Sequence, residues 1–337
     1  MGSIQLTASR HILPFASFLD QNGQAVGPLL NQAGLPGSCL DDPKTLVPTQ
    51  ALWKFRELTA IHTDLPNVTL NVMEPLELAQ LGDIGRILHR APTLGGMIRD
   101  FRRMARAESA STVINLRPCR SGGHLFSHRM LLGHRRGEWH AELYILMWML
   151  KIVRLFDETF SPTEIWCVSS RTRERFEAIE SLAARPRFNQ QCTGFPLPSS
   201  MLALSRRSSD SGRRNRETEE GRLWSMAPSN SAVGAIQQMI RAYARDRWPT
   251  IEEVADAVGL NVRTLQRQLS AEGKTYFVLA DEIRAEMAQQ LLDESDLSLS
   301  EIAERTGYSD LSNFNRAFRR WSRVSPREFR AQRRDAA

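Results

Sequence analysis

Long apolar runs are missing from this 337-residue chain. The most apolar stretch, LYILMWML at 143–150, is stopped by Lys151. A membrane-spanning helix needs roughly 20 such residues, so none is expected. Cysteine is scarce: Cys39, Cys119, Cys167 and Cys192 are the whole set. They form no C-x-x-C and match no zinc spacing, and are expected to be reduced, mostly buried thiols of a cytoplasmic protein. The N-terminus has no basic segment followed by an apolar one and a small-residue cleavage site, so no secretory signal is expected. A phosphate-binding glycine loop, an H-E-x-x-H and a Ser/His/Asp arrangement are also missing, so the chain is not expected to be an enzyme. No cofactor and no metal is implied. The net charge of +6 permits a nucleic-acid partner without demanding one.

One segment lacks apolar residues altogether. SRRSSDSGRRNRETEEGR, 205–222, has nothing to bury against the entropy of ordering it. It predicts a flexible charged linker, taken as 205–225, between a domain at 1–204 and another at 226–337. Before the break the pattern is mixed. Strands are expected at 68–73, 112–117, 124–132 and 164–169, which are rich in β-branched and aromatic residues. Helices are expected at 92–107 and 139–156. The second is apolar on almost every side, as befits either a central core helix or one shared with a subunit interface. The first domain is therefore read as α+β.

After the break every pattern is helical. Thr250–Glu253, Ser298–Glu301 and Ser325–Glu328 fit the S/T-x-x-E capping box, and Pro326 fits a first helical position. A long helix is expected at 276–294, about 28 Å in length. On either side of it a unit repeats. Val262, Leu265 and Leu269 recur 49 positions on as Leu311, Phe314 and Phe318. Arg263, Gln266, Arg267 and Ser270 recur as Ser312, Asn315, Arg316 and Arg319. Upstream, Ala255 and Gly259 recur 48 positions on as Ala303 and Gly307, so the second turn holds one more residue. Each unit thus has a helix with a central alanine, a glycine turn and a second amphipathic helix, which is the helix-turn-helix layout. The second helix docks by its apolar stripe and leaves a row of Arg, Gln, Asn and Ser, residues suited to base edges. The intervening helix could hold the units about one DNA turn apart, near 34 Å. Residues 305–334 add nine arginines against Asp310 and Glu328.

IEEVADAVGLNVRTLQRQL, the R-x-x-x-A of Arg284 to Ala288, SLSEIAERTGYSDLSNFNRAFRRW and SPREFR together resemble the DNA-binding domain of AraC/XylS-family bacterial transcription regulators, over about 230–334. The resemblance implies an all-α domain with two helix-turn-helix units joined by a long helix. It implies base contacts from Arg263, Gln266, Arg267, Ser312, Asn315 and Arg316. Thr264, Ser309, Asn313, Arg319 and Arg320 are expected at phosphates. Family members usually carry glycine two residues after the last tryptophan, where this chain has Arg323. GPLLNQAGLPGSCLDDPKTLVPTQALWKF and LGDIGRILHRAPTLGGMI resemble the arabinose-binding type of regulatory domain, over about 10–204. That implies effector sensing and homodimerisation, with promoter DNA as partner, and RNA polymerase as well if the protein activates. It does not imply arabinose, and it leaves the ligand residues unknown.

Three other signals compete. His124, His128, His134 and His140 cluster near Cys119, but four residues along a strand span about 13 Å, too far for one zinc. Surface or pocket histidines are expected instead. Pro118-Cys119-Arg120 faintly resembles the Pro-Cys-His-Arg of DNA-repair alkyltransferases, without the histidine that would activate the thiol. This gives the alternative of an alkyl-accepting repair or regulatory protein. An architectural DNA binder without an effector is the other alternative. Arg117, His124 and Trp166 lie on expected strands and could line a pocket, or be core or surface.

Overall fold

A 17-residue helix with apolar side chains all round must be enclosed, and Glu138–Arg154 is. In the computed structural model, which describes residues 4–119, 122–132, 137–206, 220–221 and 223–334, this helix runs through the core of the N-terminal half. Leu143, Leu146, Met149, Leu150, Ile152 and Val153 are all fully buried by the chain itself. The core-helix alternative therefore accounts for its composition. No described helix is long and apolar enough to cross a membrane.

The described residues of the N-terminal half include the α-helices α1 (Leu13–Gln21), α2 (Val26–Ala33), α3 (Thr49–Thr63), α4 (Val68–Met73), α5 (Asp83–His89), α6 (Leu94–Glu108), α7 (Glu138–Arg154) and α8 (Arg173–Glu180). Two short strands, β1 (Leu6–Ala8) and β2 (Leu46–Pro48), form an antiparallel ribbon with Thr7 opposite Val47. A five-stranded sheet holds β3 (Thr112–Pro118), β4 (His124–Met130), β5 (Glu164–Trp166), β6 (Arg185–Arg187) and β7 (Thr193–Leu197). Its order is β3-β4-β7-β5-β6, antiparallel except for β5 beside β6. Glu142 of α7, fully buried, ties helix to sheet: it accepts from Val168 N (2.6 Å) and from the hydroxyls of Ser169 and Thr193.

One expected strand is a helix. Residues 68–73 form α4, with Val68, Thr69, Val72 and Met73 buried at helical spacing. Thr69 Oγ1 lies 3.0 Å from His140 Nδ1 on α7. Packing against α7 outweighs the strand preference of the β-branched residues. The short strands β1, β2 and β6 and the strand β7 were not expected. The linker expected at 205–225 lies largely outside the described residues at 207–219. Its ends are anchored: Ser205 bridges Thr93, Glu220 pairs with Arg103, and Leu223 is buried in the N-terminal core.

The C-terminal half is all helical: α9 (Ala232–Tyr243), α10 (Ile251–Ala257), α11 (Val262–Ala271), α12 (Tyr276–Glu294), α13 (Leu299–Arg305), α14 (Leu311–Ser322) and α15 (Pro326–Arg334). It has two small cores, and α12 belongs to both. Leu279 and Ile283 enter the first with Val254, Leu265 and Leu269. Ala288 and Leu292 enter the second with Ile302, Phe314 and Phe318.

The histidines expected at the surface or in a pocket divide otherwise. His134 lies outside the described residues. His140 is buried on α7, and His128 is 1% exposed in β4. Burial pushes the His128 imidazole down to about 3 from an ordinary 6.5. The unfolded chain takes up a proton near pH 6.5 and the folded chain only near pH 3. Stability from this residue is therefore intact above pH 6.5 and is lost as pH falls through that window. Relative to His128→Leu, the native protein should lose about 2 kcal/mol between pH 7 and pH 5. Urea titrations of both proteins at the two pH values check this, and parallel pH dependences would refute it.

Candidate functional site

Local chemistry sets each helix of the repeated pairs. Thr250 and Glu253 cap α10 reciprocally (2.9 and 3.3 Å), and Ser298 and Glu301 cap α13 the same way (2.7 and 3.2 Å). Ser325 and Glu328 repeat the exchange before α15. Asn261 Oδ1 caps α11 through Thr264 N, and Asp310 Oδ1 caps α14 through Asn313 N. The turns pass through Gly259 and Gly307, at φ +67° and +79°. Space adds to the backbone requirement. A Cβ on Gly259 would lie 1.9 Å from Gln50 Oε1 of the N-terminal half, and one on Gly307 would lie 2.2 Å from Trp248 Cδ1.

That tryptophan links the two pairs. Trp248 precedes α10, yet its Nε1 donates to Arg305 O at the end of α13 (3.2 Å). The Arg284 guanidinium, from α12, lies 4.5 Å from the Trp248 ring and 5.7 Å from Tyr308. The R-x-x-x-A motif is thereby explained: Arg284 bridges the pairs, and Ala288 is buried in the second core.

The second helices present the row read from the sequence. On α11, Leu265 and Leu269 are buried, while Arg263, Gln266 and Arg267 are exposed. None of these three side chains has a hydrogen bond or ion pair among the described residues. Thr264 is half-buried. On α14, Phe314, Ala317 and Phe318 are buried. Ser312 and Arg316 are exposed and Asn315 is half-buried. The polar residues are not equally available. Arg316 donates to Asn313 Oδ1, and Asn313 also bonds Asp310. Arg320 is held by both oxygens of Asp281 (2.8 and 2.7 Å), which also takes the Trp321 indole N–H (2.9 Å). Arg319 is exposed with no such partner, and Ser309 is exposed before the helix.

A cavity of about 70 Å³ lies in the N-terminal half, walled mainly by α3, α5, α6, α7, β1 and β3. Arg117, His124 and Trp166 do not line it. Arg117 is exposed, His124 is paired with Ser199 and Trp166 with Glu164. The wall is made of residues such as Thr7, Thr49, Arg56 and Tyr144, scattered from 7 to 148. No local motif could have announced them. Cys119, half-buried, sits at the β3–β4 hairpin, its N–H on Gly123 O (3.0 Å).

The β1–β2 ribbon stands between cavity and C-terminal half. Leu6, Ala8 and Leu46 join Ile236, Met239 and Ile240 of α9 in one core. Polar contacts surround it: Tyr243 Oη donates to Gly34 O (2.5 Å), Ser38 N to Asp246 (3.1 Å), and Arg245 pairs with Asp42 (3.4 Å).

Similarity to known proteins follows the same division. The family model described as the arabinose-binding domain of AraC transcription regulators, N-terminal, matches residues 23–205, and a helix-turn-helix domain model matches 254–332. The HTH-type transcriptional regulator VqsM of Pseudomonas aeruginosa is 36% identical over 101 residues, 29% of this chain and 31% of that protein. The ornithine utilization regulator of the same species is 40% identical over 95 residues, 28% of each chain. The chain thus spans about a third of the length of these relatives. The crystal structure of the transcriptional regulator CdpR from Pseudomonas aeruginosa aligns over 96% of this chain and 98% of its own, at 20% identity and a TM-score of 0.44.

Arg323 stands where the family resemblance leads one to expect glycine, and it closes α14 at φ +66°. A side chain in that left-handed region costs about 1–2 kcal/mol, partly recovered by the lower backbone entropy of a non-glycine residue. Arg323→Gly should therefore raise stability by roughly 0.5–1 kcal/mol, measured as the urea midpoint. A fall in the midpoint would mean that the arginine side chain contributes more than its backbone costs.

Proposed function

The chain belongs to the AraC family of transcription regulators that carry the N-terminal arabinose-binding domain, and from that membership we propose that it is a sequence-specific DNA-binding regulator controlled by a small molecule. The observation that carries the reading is the pair of exposed polar helix faces. Each is docked by a buried apolar stripe, and Arg263 and Arg267 are paired with no carboxylate among the described residues. Arg263, Gln266 and Arg267 read bases in one major groove. Ser312, Asn315 and Arg316 read them in the next. Thr264, Ser309, Asn313, Arg319 and Arg320 face phosphates. The partners are promoter duplex DNA, a second copy of the chain through the N-terminal half, and RNA polymerase where the regulator activates. The protein works in the cytoplasm and catalyses no reaction. Effector binding changes which half-sites the paired DNA-binding halves occupy together.

Salt-titrated fluorescence anisotropy tests this on the full chain, since Ile4, Leu6, Ala8 and Leu46 complete the first DNA-binding core. The duplexes are those enriched from genomic fragments, with scrambled versions as controls. Arg267→Ala or Arg316→Ala should cost about 1–3 kcal/mol and relax preference at particular bases. Arg319→Ala should weaken all duplexes alike and lower the salt slope by about 1. Arg320→Ala should change that slope less, because Asp281 already offsets its charge. An Arg267→Ala protein with affinity and preference intact would remove the first helix from the reading. Equal affinity for enriched and scrambled duplexes would leave an architectural binder.

A further inference from the structure

Arg56 is an enclosed charge with no counter-charge among the described residues. It projects from α3 into the cavity and is 3% exposed. Its guanidinium lies 3.9 Å from the Tyr144 ring centroid and 5.1 Å from that of Phe15. Nη2 donates to His11 O (3.2 Å), and the buried Nε has no acceptor. No carboxylate among the described residues pairs with it. Glu108, across the cavity, is taken by Arg10 (3.0 Å) and His11 (3.3 Å), and the neighbouring Glu57 faces His140 (3.7 Å). Burial pulls the Arg56 pKa down to about 10, so the group stays a cation at neutral pH. An enclosed cation with donors to spare calls for an anion. The rest of the wall is mostly apolar, with Leu52, Ile84, Phe101 and Trp148 among its residues.

We propose that this cavity is a ligand site for a small organic monocarboxylate, with the carboxylate on Arg56 and a compact apolar body against the surrounding side chains. Size limits the body. An apolar hole of about 150 Å³ admits benzene, and this one is about 70 Å³. A chain of a few carbons fits, and a larger ring requires the wall to give. Opposite the apolar residues runs a line of hydroxyls: Thr49 Oγ1 to Thr7 Oγ1 (2.6 Å), Thr7 to Ser109 (2.8 Å), Ser109 to Ser111 (2.8 Å). Thr7 belongs to β1, whose other face is buried against α9. A ligand reaching these hydroxyls therefore touches the element that carries the DNA-binding half. The proposal deepens the effector reading above and rests on it for its physiological sense.

The test is calorimetric titration of the full chain with sodium propanoate, butanoate and benzoate, each against its primary amide at matched ionic strength. At least one carboxylate should bind saturably and at least about tenfold tighter than its amide. Arg56→Gln should lose that preference while keeping its affinity for DNA. Arg56→Lys keeps the charge, and should retain carboxylate over amide even if Arg56→Gln fails to fold. Absence of any carboxylate preference in the native protein would overturn the proposal, leaving Arg56 a cation held only by Tyr144, Phe15 and a carbonyl. Equal preference in native and Arg56→Gln proteins would overturn it too. DNA anisotropy with and without the bound carboxylate separates the two ideas. Tight binding with unchanged DNA affinity would keep the ligand site and sink the effector reading.

Discussion

Successive side chains of a strand point to opposite faces, and this places three residues of β1 in two different environments. Leu6 and Ala8 complete the core of the first DNA-binding pair, while Thr7 lines the cavity. The ribbon is short, so its register with β2 is fixed mostly by what each face must bury. A slip of one residue would turn Leu6 toward the hydroxyls of the cavity wall and push Thr7 into an apolar core, inverting both environments together. Burying Leu6 and Leu46 contributes about 1.5–3 kcal/mol each, and the polar contacts of Tyr243, Asp246 and Arg245 fix orientation around them. The N-terminal half therefore serves as a structural part of the first DNA-binding unit as well as a separate domain.

Charge in the C-terminal half is distributed with the same economy. Three kinds of arginine environment stand out there. Arg284 is stacked between aromatic rings of the two pairs, where a planar guanidinium fits and a lysine would not. Arg320 is clamped by Asp281 of α12 and orients α14 on the long helix. Arg263 and Arg267 project into solvent with no side-chain partner among the described residues, and Arg319 is exposed with only the charge of Glu328 acting on it. A basic count along the sequence weighs all of these equally. Asp281 offsets the charge of Arg320, so the effective footprint is smaller than the nine arginines of 305–334 suggest.

What was legible in the sequence was what is local. The caps at Thr250, Ser298 and Ser325, the left-handed glycines at 259 and 307 and the 3.6-residue stripes all act within one turn of helix. Each therefore leaves a pattern that single-chain reading can find. The bounds of the long helix, Tyr276–Glu294, follow from the same signals. What escaped was set at a distance. Residues 68–73 look like a strand by composition, and only the enclosure of Val68, Val72 and Met73 under α7 makes them helical. β1, β2 and β6 are too short to show a period of two. The cavity draws on elements scattered from Thr7 to Trp148, and Arg56 is an ordinary member of α3 until Tyr144 and Phe15 close over it.

These two scales meet at Thr7. A ligand can shift an equilibrium only by binding its two states unequally. A cavity wholly inside the N-terminal half would offer no such inequality toward DNA, because its walls would be the same whether or not α9 is docked. Here one wall is different. Thr7 is held in a hydroxyl chain by Thr49 and Ser109, and its two strand neighbours are held by α9. Any ligand that competes for those hydroxyls pulls on a strand whose opposite face is committed to the DNA-binding core. The closely packed core resists gradual displacement, so docking of the ribbon on α9 that is either kept or lost would be the two-state element that coupling requires.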